Sequence, residues 1–205
     1  MTNIFDIYTE EYDNWFLENH YAYLSELIAL KEAIPDSKLG IEIGVGTGRF
    51  SSMLNIRYGV DLSYNSLKLA RERGCEVVLA PAENLPFSSN TFDYALLMVT
   101  LCFVDEPERT LKEARRILKK GGKLIVGIID RDSRLGKLYQ KKKSKFYQVA
   151  RFFSSLQVIE LMRRSRFRRI SASQTLFDDI EKIEQIDQTR DGFGEGSFVV
   201  LSGVK

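Results

Sequence analysis

The residues best suited to chemistry lie in the stretch GIEIGVGTGRF, residues 40–50. Its G-x-G-x-G spacing predicts a tight turn whose main chain can approach a ligand closely. Two carboxylates accompany the turn: Glu42 stands two residues before Gly44, and Asp61 follows seventeen residues after it. Asp61 can accept hydrogen bonds from both hydroxyls of a ribose. The stretch therefore predicts a site that binds a nucleoside.

The spacing of the glycines also bears on which nucleoside is bound. A dinucleotide fingerprint reads G-x-G-x-x-G and places pyrophosphate at a helix amino terminus. Here position 49 is Arg, and Glu42 would repel a pyrophosphate but stabilise a cationic amino group. S-adenosylmethionine carries such an ammonium group and no phosphate. The pattern therefore favours this cofactor, and methyl transfer over hydride transfer.

Strand and helix patterns alternate around these residues. Buried-strand patterns precede helical patterns from residue 39 onward, as in a parallel sheet with helices on both sides. We expect an α/β, Rossmann-like, doubly wound seven-stranded sheet, mostly parallel, with an antiparallel final strand. The predicted strands are LGIEIGV, IRYGVDL, CEVVLA, FDYALLMV, KLIVGII, RRISASQTLF and GSFVVLSGVK.

Helix boundary signals refine this prediction. Ser63 can cap the helix YNSLKLARERG, and Gly74 ends it. Pro107 begins the next helix, in which Lys119 and Lys120 would complement the helix dipole before Gly121–Gly122 ends it.

We expect a single domain with four parts. Residues 1–38 form a helical, aromatic-rich amino-terminal lid, and residues 39–130 form the cofactor-binding core. Residues 131–170 form a basic insertion and helix on the substrate side, and residues 171–205 form the closing strands.

Composition excludes several classes of protein. The chain is 44% hydrophobic and 28% charged, which is typical of a globular protein. Its first residues lack a secretory signal, and its longest apolar run, YALLMVTLCFV, is too short to cross a bilayer. Cys75 and Cys102 are expected to be reduced, and one histidine with two cysteines makes no standard zinc site. We therefore expect a cytoplasmic protein without a membrane span or a metal.

The charge is distributed unevenly along the chain. Between residues 131 and 169, 13 basic residues stand against only Asp132 and Glu160. One interpretation is a solvated helix face. The other is a surface that binds an anion, such as a phosphorylated substrate, RNA or a lipid surface.

Four motifs in order resemble those of a known family. They are E-x-G-x-G-x-G from Glu42, then Asp61, then AENLPF from Ala82, then FDYALLMVTLCFVDEPERTLKEARRILKKGGKLIV. Together, over roughly residues 39–129, they resemble the class I S-adenosylmethionine-dependent methyltransferases. Within that family they are most similar to the small-molecule branch that includes the ubiquinone and menaquinone biosynthesis enzymes.

The resemblance implies a role for each matching position. Glu42 and the main chain of the turn would hold the methionine portion of the cofactor, and Asp61 would hold the ribose. Leu62 would cover the adenine, Ala82 and Glu83 would meet its edge, and Met98 and Val99 would lie beside the amino-acid end. The turn residues concerned are Gly44, Val45, Gly46, Thr47 and Gly48.

The sequence departs from the family pattern at three points. Pro81 replaces an aspartate common before the Ala-Glu pair, Cys102 and Phe103 replace a common histidine pair, and Arg166 replaces a glycine in the late helix. These changes affect the assignment of the substrate more than that of the fold.

The acceptor side is predicted from residues near the expected pocket mouth. Because the sulfonium methyl is already activated, the enzyme mainly needs to align a nucleophile and exclude water. Where a base is used, the candidates are His20, Tyr12 and Asp130, and each has a structural alternative as a packing or capping residue. Candidates for acceptor contact are Tyr8, Trp15, Thr100 and Phe103.

Three functions remain open at this level. The first is methyl transfer to an O, N or C nucleophile of a small molecule, which could be anionic or phosphorylated. The second is an RNA-directed methyltransferase that uses the basic segment 131–169. The third is a non-catalytic S-adenosylmethionine binder that regulates a partner. The oligomeric state is not predicted.

Overall fold

The computed structural model of the protein describes residues 4–36 and 38–205. Helices and strands alternate from residue 40 onward, after three helices at the amino terminus. The strands are β1 Gly40–Ile43, β2 Tyr58–Asp61, β3 Glu76–Leu79, β4 Phe92–Met98, β5 Leu118–Ile129, β6 Arg168–Thr175, β7 Arg190–Asp191 and β8 Phe198–Val204. The helices are α1 Ile4–Ile7, α2 Thr9–Glu18, α3 His20–Ala33, α4 Arg49–Met53, α5 Tyr64–Glu72, α6 Pro107–Ile117, α7 Arg134–Lys141 and α8 Ser155–Arg164, with a 3-10 turn at Ile180–Lys182.

The strands form one sheet in the order β3-β2-β1-β4-β5-β8-β6-β7. Strands β1 to β5 are parallel, and β8 runs antiparallel between β5 and β6. The mostly parallel, doubly wound α/β prediction is therefore confirmed, including the antiparallel finish.

The predicted count of seven strands is wrong by one. The additional strand, β7, has two residues and pairs with Ser173 and Gln174 of β6. It lies within the acidic connection between the closing strands, where two paired residues are too few to produce an alternating pattern.

The predicted end of α6 is also wrong. The helix ends at Ile117, and Leu118 already has an extended main chain and pairs with Phe92 of β4. Lys119 and Lys120 therefore belong to β5, where the register shifts before Lys123 and Gly121 has a φ of +79°. Lys119 forms an ion pair with Asp93 and does not cap a helix. The Gly-Gly pair permits this bulge.

Alternate residues of the central strands serve two separate cores. On β4, Ala95 and Leu97 belong to the cluster that packs with α6 and α8, whereas Leu96 and Met98 belong to the cluster that packs with α3 and α7. Period-two alternation with both faces buried is the pattern of a sheet covered by helices on each side. The sheet therefore presents its carboxyl edge, rather than a face, to ligands.

Other boundary predictions are confirmed. Ser63 caps α5 by accepting a hydrogen bond from the Ser66 amide, and Gly74 follows the helix with a φ of +87°.

Cys75 and Cys102 are free thiols. Among the helices that the structure describes, none is both long and apolar enough to cross a membrane.

Candidate active site

The two predicted carboxylates lie on neighbouring parallel strands. Glu42 of β1 is opposite Gly59 of β2, and Asp61 is the last residue of β2. Where β1 turns toward α4, the amides of Gly44 and Val45 donate to the Val60 carbonyl at 2.7 and 3.0 Å. Both carboxylates therefore stand beside the glycine turn at the carboxyl edge of the sheet, where α/β folds bind ligands.

The turn requires its glycines for two reasons. The φ angles of Gly44, Gly46 and Gly48 are +77°, +51° and +79°, a region that favours glycine. A Cβ on Gly44 would lie 2.3 Å from Thr100 Cγ2, and one on Gly48 would lie 2.9 Å from the Ala70 Cα. The glycines thus let the turn pack against the end of β4 on one side and against α5 on the other.

Asp61 is held by main-chain amides. Its Oδ2 accepts from the Gly46 amide and its Oδ1 from the Ser63 amide, both at 2.8 Å. Burial raises its pKa, while these hydrogen bonds partly oppose the shift. Since each oxygen has two lone pairs, one acceptor position remains on each oxygen. That arrangement suits a vicinal diol.

Glu42 is a buried carboxylate with one hydrogen-bond donor among the described residues. Ser51 Oγ donates to its Oε2 at 2.5 Å, and the residue is only 2% exposed. Burial raises its pKa to about 8, the Ser51 bond opposes the shift, and the charge of Asp61 adds to it. A nearby cation would stabilise the ionised form, since a buried charge needs a partner.

The end of β4 closes the other side of the turn. Met98 is buried, and Val99 has a φ of +50°. The left-handed region is unusual for a β-branched residue, and such strain is concentrated at functional sites. The Val99 amide donates to Gly127 of β5, and Thr100 Oγ1 donates to the Ile43 carbonyl at 3.0 Å. Residues 98–100 are thus fixed against β1 and β5.

Comparisons with known proteins agree with this geometry. A methyltransferase domain model matches residues 41–126. An uncharacterized protein of Methanocaldococcus jannaschii is 49% identical over 205 residues, 99% of each chain. A crystal structure of a SAM-dependent methyltransferase of Thermotoga maritima, described as a possible histamine N-methyltransferase, superposes with a TM-score of 0.97 at 50% identity over 100% of both chains. A demethylmenaquinone methyltransferase of Corynebacterium kroppenstedtii is 36% identical over 83 residues, 40% of this chain and 36% of that protein.

The chain belongs to the S-adenosylmethionine-dependent methyltransferases. The predicted family and cofactor are thereby confirmed, and the similarity to a menaquinone-pathway enzyme agrees with the predicted branch. The residues of this methyltransferase also fit the cofactor chemically. Asp61 offers acceptors for ribose hydroxyls, and Glu42 is a buried carboxyl group whose ionised form a cationic ligand would stabilise.

One of the residues predicted to contact the adenine, Glu83, hydrogen-bonds to another part of the methyltransferase. Leu62 is 54% exposed, and Ala82 is buried. Glu83 accepts hydrogen bonds at Oε1 from the amides of Asp105 and Glu106, at 3.0 and 3.3 Å. This carboxylate stabilises the start of α6, so only its other oxygen is available at the adenine edge.

The amino-terminal helices, which the sequence predicts to be a lid, lie next to the glycine turn. A Cβ built on Gly46 would lie 3.5 Å from the Tyr12 ring, so the two are neighbours across the site. Burial, followed by the charges of Glu42 and Asp61, raises the pKa of Tyr12 far above its usual value. The phenol therefore stays protonated at neutral pH, which suits a hydrogen-bonding role better than that of a base.

The rings of the lid form an aromatic cluster with the insertion and the end of β4. Phe5 contacts Tyr12, Phe103 and Phe146 at centroid distances of 5.3, 4.9 and 5.4 Å. Tyr8 contacts Phe146 at 6.3 Å. The predicted substrate residues Tyr8 and Phe103 are thus brought together here. Trp15 lies further along α2 and packs edge-on against Phe16 at 5.2 Å.

Asp13 fastens the lid to the cofactor turn. Its carboxylate accepts from Thr47 Oγ1 at 2.6 Å, from Arg49 at 2.6 and 2.9 Å, and from Arg73 at 2.7 and 2.9 Å. Arg73 also donates to the Thr47 carbonyl at 2.6 Å. Burial would raise the pKa of Asp13, but these bonds outweigh it and hold the pKa well below its usual range. We call this set the Asp13 latch.

A second contact ties α1 to the ribose side of the site. The Asp6 carboxylate accepts from Ser63 Oγ at 2.8 Å and from the Asn65 amide at 3.0 Å. Because Ser63 also donates its amide to Asp61, the lid and the predicted ribose ligand share one residue.

Two predicted base candidates have other surroundings in the structure. His20 is exposed at the start of α3, and its ring lies tilted against that of Tyr21 at a centroid distance of 3.9 Å. Asp130 is buried and accepts from the Asp132 amide and from the amide and hydroxyl of Ser155. Asp130 thus anchors the start of α8, which accounts for its burial without a catalytic role.

Glu26 is a further buried carboxyl group, and it is not among the residues predicted from the sequence. This α3 residue is 2% exposed, and no donor among the described residues hydrogen-bonds its carboxylate. Burial raises its pKa to about 8. Its charge lies within electrostatic range of Tyr12, Tyr139 and Tyr147, and the last two rings stack at 4.1 Å. A glutamate at a buried position of an apolar helix is the signal that could have identified it.

Proposed function

We propose that the protein transfers the methyl group of S-adenosylmethionine to a nitrogen of a small, cationic amine bound beneath the lid. One observation carries the proposal: Glu26 is a buried carboxyl group without a hydrogen-bond donor among the described residues, and Tyr12, Tyr139 and Tyr147 lie within electrostatic range of it. Ionisation of such a group is costly unless a ligand compensates its charge, and aromatic rings attract the same cation. A possible histamine N-methyltransferase at 50% identity supports an amine acceptor.

The position of Glu26 supports a role toward the acceptor. Tyr12 lies within electrostatic range of Glu26, Glu42 and Asp61, so all three carboxyl groups lie near the same ring. Glu26 also shares its side of the sheet with Met98, at the end of β4. An acceptor held by Glu26 would therefore reach toward the predicted position of the methyl group.

The chemistry requires two different nitrogens on the acceptor. A protonated amine binds Glu26 but has no lone pair with which to attack, so the nucleophile must be a second, neutral nitrogen. An unprotonated ring nitrogen meets this requirement without a base. This agrees with the exposed position of His20 and the structural role of Asp130. The protein's contribution is then orientation and exclusion of water.

We also propose a separate role for each of four parts of the chain. Residues 1–38 act as the lid, residues 39–130 hold the cofactor, residues 131–170 complete the acceptor side, and residues 171–205 close the sheet. Phe146 and Tyr147 support the third assignment because they pack with rings of the lid and of α7. We assign Glu42, Asp61, the turn and residues 98–99 to the cofactor, and Tyr8, Tyr12 and Phe103 to the acceptor side.

The structure favours a small acceptor over RNA for the basic segment. Several of its cations are paired within the protein: Arg134 with Asp179, Lys145 with Glu11, and Arg164 with Glu108. Arg166 and Arg168 line a groove with residues of α6, β5 and the end of β8. These pairings leave fewer free cations of the segment for a nucleic-acid backbone.

A turnover assay with matched acceptors tests the proposal. We expect methylation of histamine, and we expect imidazole, which lacks the cationic arm, to react about 10- to 150-fold less efficiently in kcat/KM, since one buried charged contact contributes about 1.5–3 kcal/mol. Phenols and quinols serve as neutral acceptors of comparable size. Turnover of these but of no amine would contradict the proposed function while leaving the methyltransferase family intact.

A further inference from the structure

A basic groove lies at the edge of the sheet away from the cofactor. It is an open groove with a volume of about 750 Å³, lined by Arg115, Lys120, Arg166, Arg168 and Lys205. These residues come from α6, β5, the α8–β6 connection, β6 and the end of β8. Val204, next to Lys205, pairs with Lys123 of β5 and with Arg168 of β6. The groove therefore lies toward the start of β5 and β6. The carboxyl end of β5 is about 20 Å away along the strand at roughly 3.3 Å per residue.

Most of these cations have no internal partner. Within residues 4–36 and 38–205, Arg115, Lys120, Arg166 and Arg168 form no ion pair and no side-chain hydrogen bond, and Arg115 Nε is buried without an acceptor. No acidic residue lines the groove. Lys205 differs because its Nζ donates to the Leu118 carbonyl at 2.6 Å and to Asn90 Oδ1 at 2.9 Å. The Lys205 amine is thus held by hydrogen bonds within the protein, and the other four cations are available to bind a ligand.

The helix ends nearby compensate only a fraction of this charge. Helices α6 and α8 end at Ile117 and Arg164, and each carboxyl terminus contributes a partial charge of about −0.5. Five positive side chains therefore retain most of their mutual repulsion. Burial and the nearby charges of Arg115 and Arg116 lower the pKa of Lys205, as expected where cations crowd together. A bound anion would relieve this repulsion.

We propose that this groove binds a small anion that carries at least two phosphate groups, such as pyrophosphate or the polyphosphate of a nucleotide. Three of the five cations are arginines, whose planar forks bind phosphate oxygens in pairs. A volume of about 750 Å³ lies within the range of small-molecule sites. Because the five charges converge on one concave volume rather than along a track, a compact polyphosphate fits better than a nucleic-acid backbone. The site is separate from the acceptor site, so it does not depend on the proposed amine.

Calorimetric titration of the full chain with pyrophosphate at low ionic strength tests the proposal. The double variant Arg166→Gln/Arg168→Gln should weaken binding at least about 30-fold, because charge-assisted hydrogen bonds contribute about 1.5–3 kcal/mol each. The control Arg71→Gln/Arg163→Gln removes the same charge from exposed arginines outside the groove and should change affinity less than about 3-fold. Lys120→Gln, an exposed position, provides a second groove variant should the double variant not fold.

The outcomes separate the proposal from its alternatives. Absence of pyrophosphate binding would overturn it, as would equal weakening in the groove and control variants, which would indicate a diffuse charge effect. A nucleoside triphosphate that binds like pyrophosphate would identify the phosphates as the recognised group. Binding of an RNA oligonucleotide with a steep salt dependence, without binding of pyrophosphate, would replace the proposal with a nucleic-acid surface.

Discussion

At the scale of single residues, the site contains buried carboxylates that a folded protein would otherwise avoid. Glu26 and Glu42 are each 2% exposed, and burial raises the pKa of each to about 8. We assign Glu42 to the cationic end of the cofactor. No described residue donates a hydrogen bond to Glu26, and this is why we assign it to the acceptor.

The pH dependence of stability should reveal how much free energy of folding the ionisation of buried Glu26 costs. Since its pKa is about 8 when folded and near 4.5 when unfolded, the folded chain holds an extra proton between these values, and stability falls as pH rises through this window. Without ligands, Glu26→Gln should be about 2 to 4 kcal/mol more stable than the wild type at pH 8.5 and nearly equal at pH 4.5. Denaturant unfolding at both pH values measures this. Exposed Glu32→Gln on the same helix should show no such gain, and an equal gain there would contradict the assignment.

Asp61 should govern cofactor affinity. Asparagine keeps one acceptor oxygen but loses the charge and the second oxygen, which accepts from a main-chain amide and is also proposed to accept from the ribose. Asp61→Asn should therefore weaken S-adenosylmethionine binding about 10- to 100-fold. Calorimetry with S-adenosylhomocysteine checks this without turnover. Asp191→Asn, on the exposed edge strand β7, is the matched control. Unchanged affinity in Asp61→Asn would refute the placement of the ribose.

At the scale of elements, the lid is joined to the cofactor turn by polar contacts. The Asp13 latch links α2 to Thr47, Arg49 and Arg73, and Asp6 links α1 to the start of α5. Helix α3 carries Glu26 on the same side of the sheet. Cofactor binding, lid closure and acceptor binding are therefore expected to be coupled.

Breaking the Asp13 latch should loosen the lid. Asp13→Asn leaves two half-buried arginines without an anion, a change that costs about 3–5 kcal/mol where the pair is buried. We expect faster amide hydrogen exchange in residues 4–33 and weaker cofactor binding, with the sheet still protected. Glu11→Gln is the control because it removes an exposed ion pair to Lys145 from the same helix. Equal exchange in the two variants would contradict the latch.

The latch should also withstand mild acid. The pKa of Asp13 is held well below its usual range, so its stabilisation is present above pH 4 and is lost only as pH falls toward the folded pKa.

At the scale of the whole molecule, local patterns predicted the core well and the tertiary contacts poorly. Buried parallel strands, the G-x-G-x-G turn and Asp61 have signals within a few residues, so the fold and the cofactor side followed from them. The partners of Asp13 lie more than thirty residues away, at Thr47, Arg49 and Arg73, and no local pattern joins them. Glu26 is informative only because the fold buries it.

The same limit applies to the other predicted residues. His20 and Asp130 have suitable side chains, but exposure and the contact with Ser155 are properties of the fold. The basic segment 131–169 suggested one continuous surface because its residues are adjacent in sequence. The fold pairs some of these cations internally and places Arg166 and Arg168 in the groove at the far edge of the sheet.

The central claim is that Glu26 binds the cation of the acceptor, and the proton released on binding tests it most directly. Histamine should be titrated calorimetrically into the S-adenosylhomocysteine complex at pH 6.5, in buffers of different ionisation enthalpy. Because Glu26 is protonated at this pH and must ionise to bind an ammonium, the wild type should release about one proton more per amine bound than Glu26→Gln, in which only the acceptor's own ring can lose a proton. Binding without proton release, or the same release in Glu26→Gln, would contradict the account.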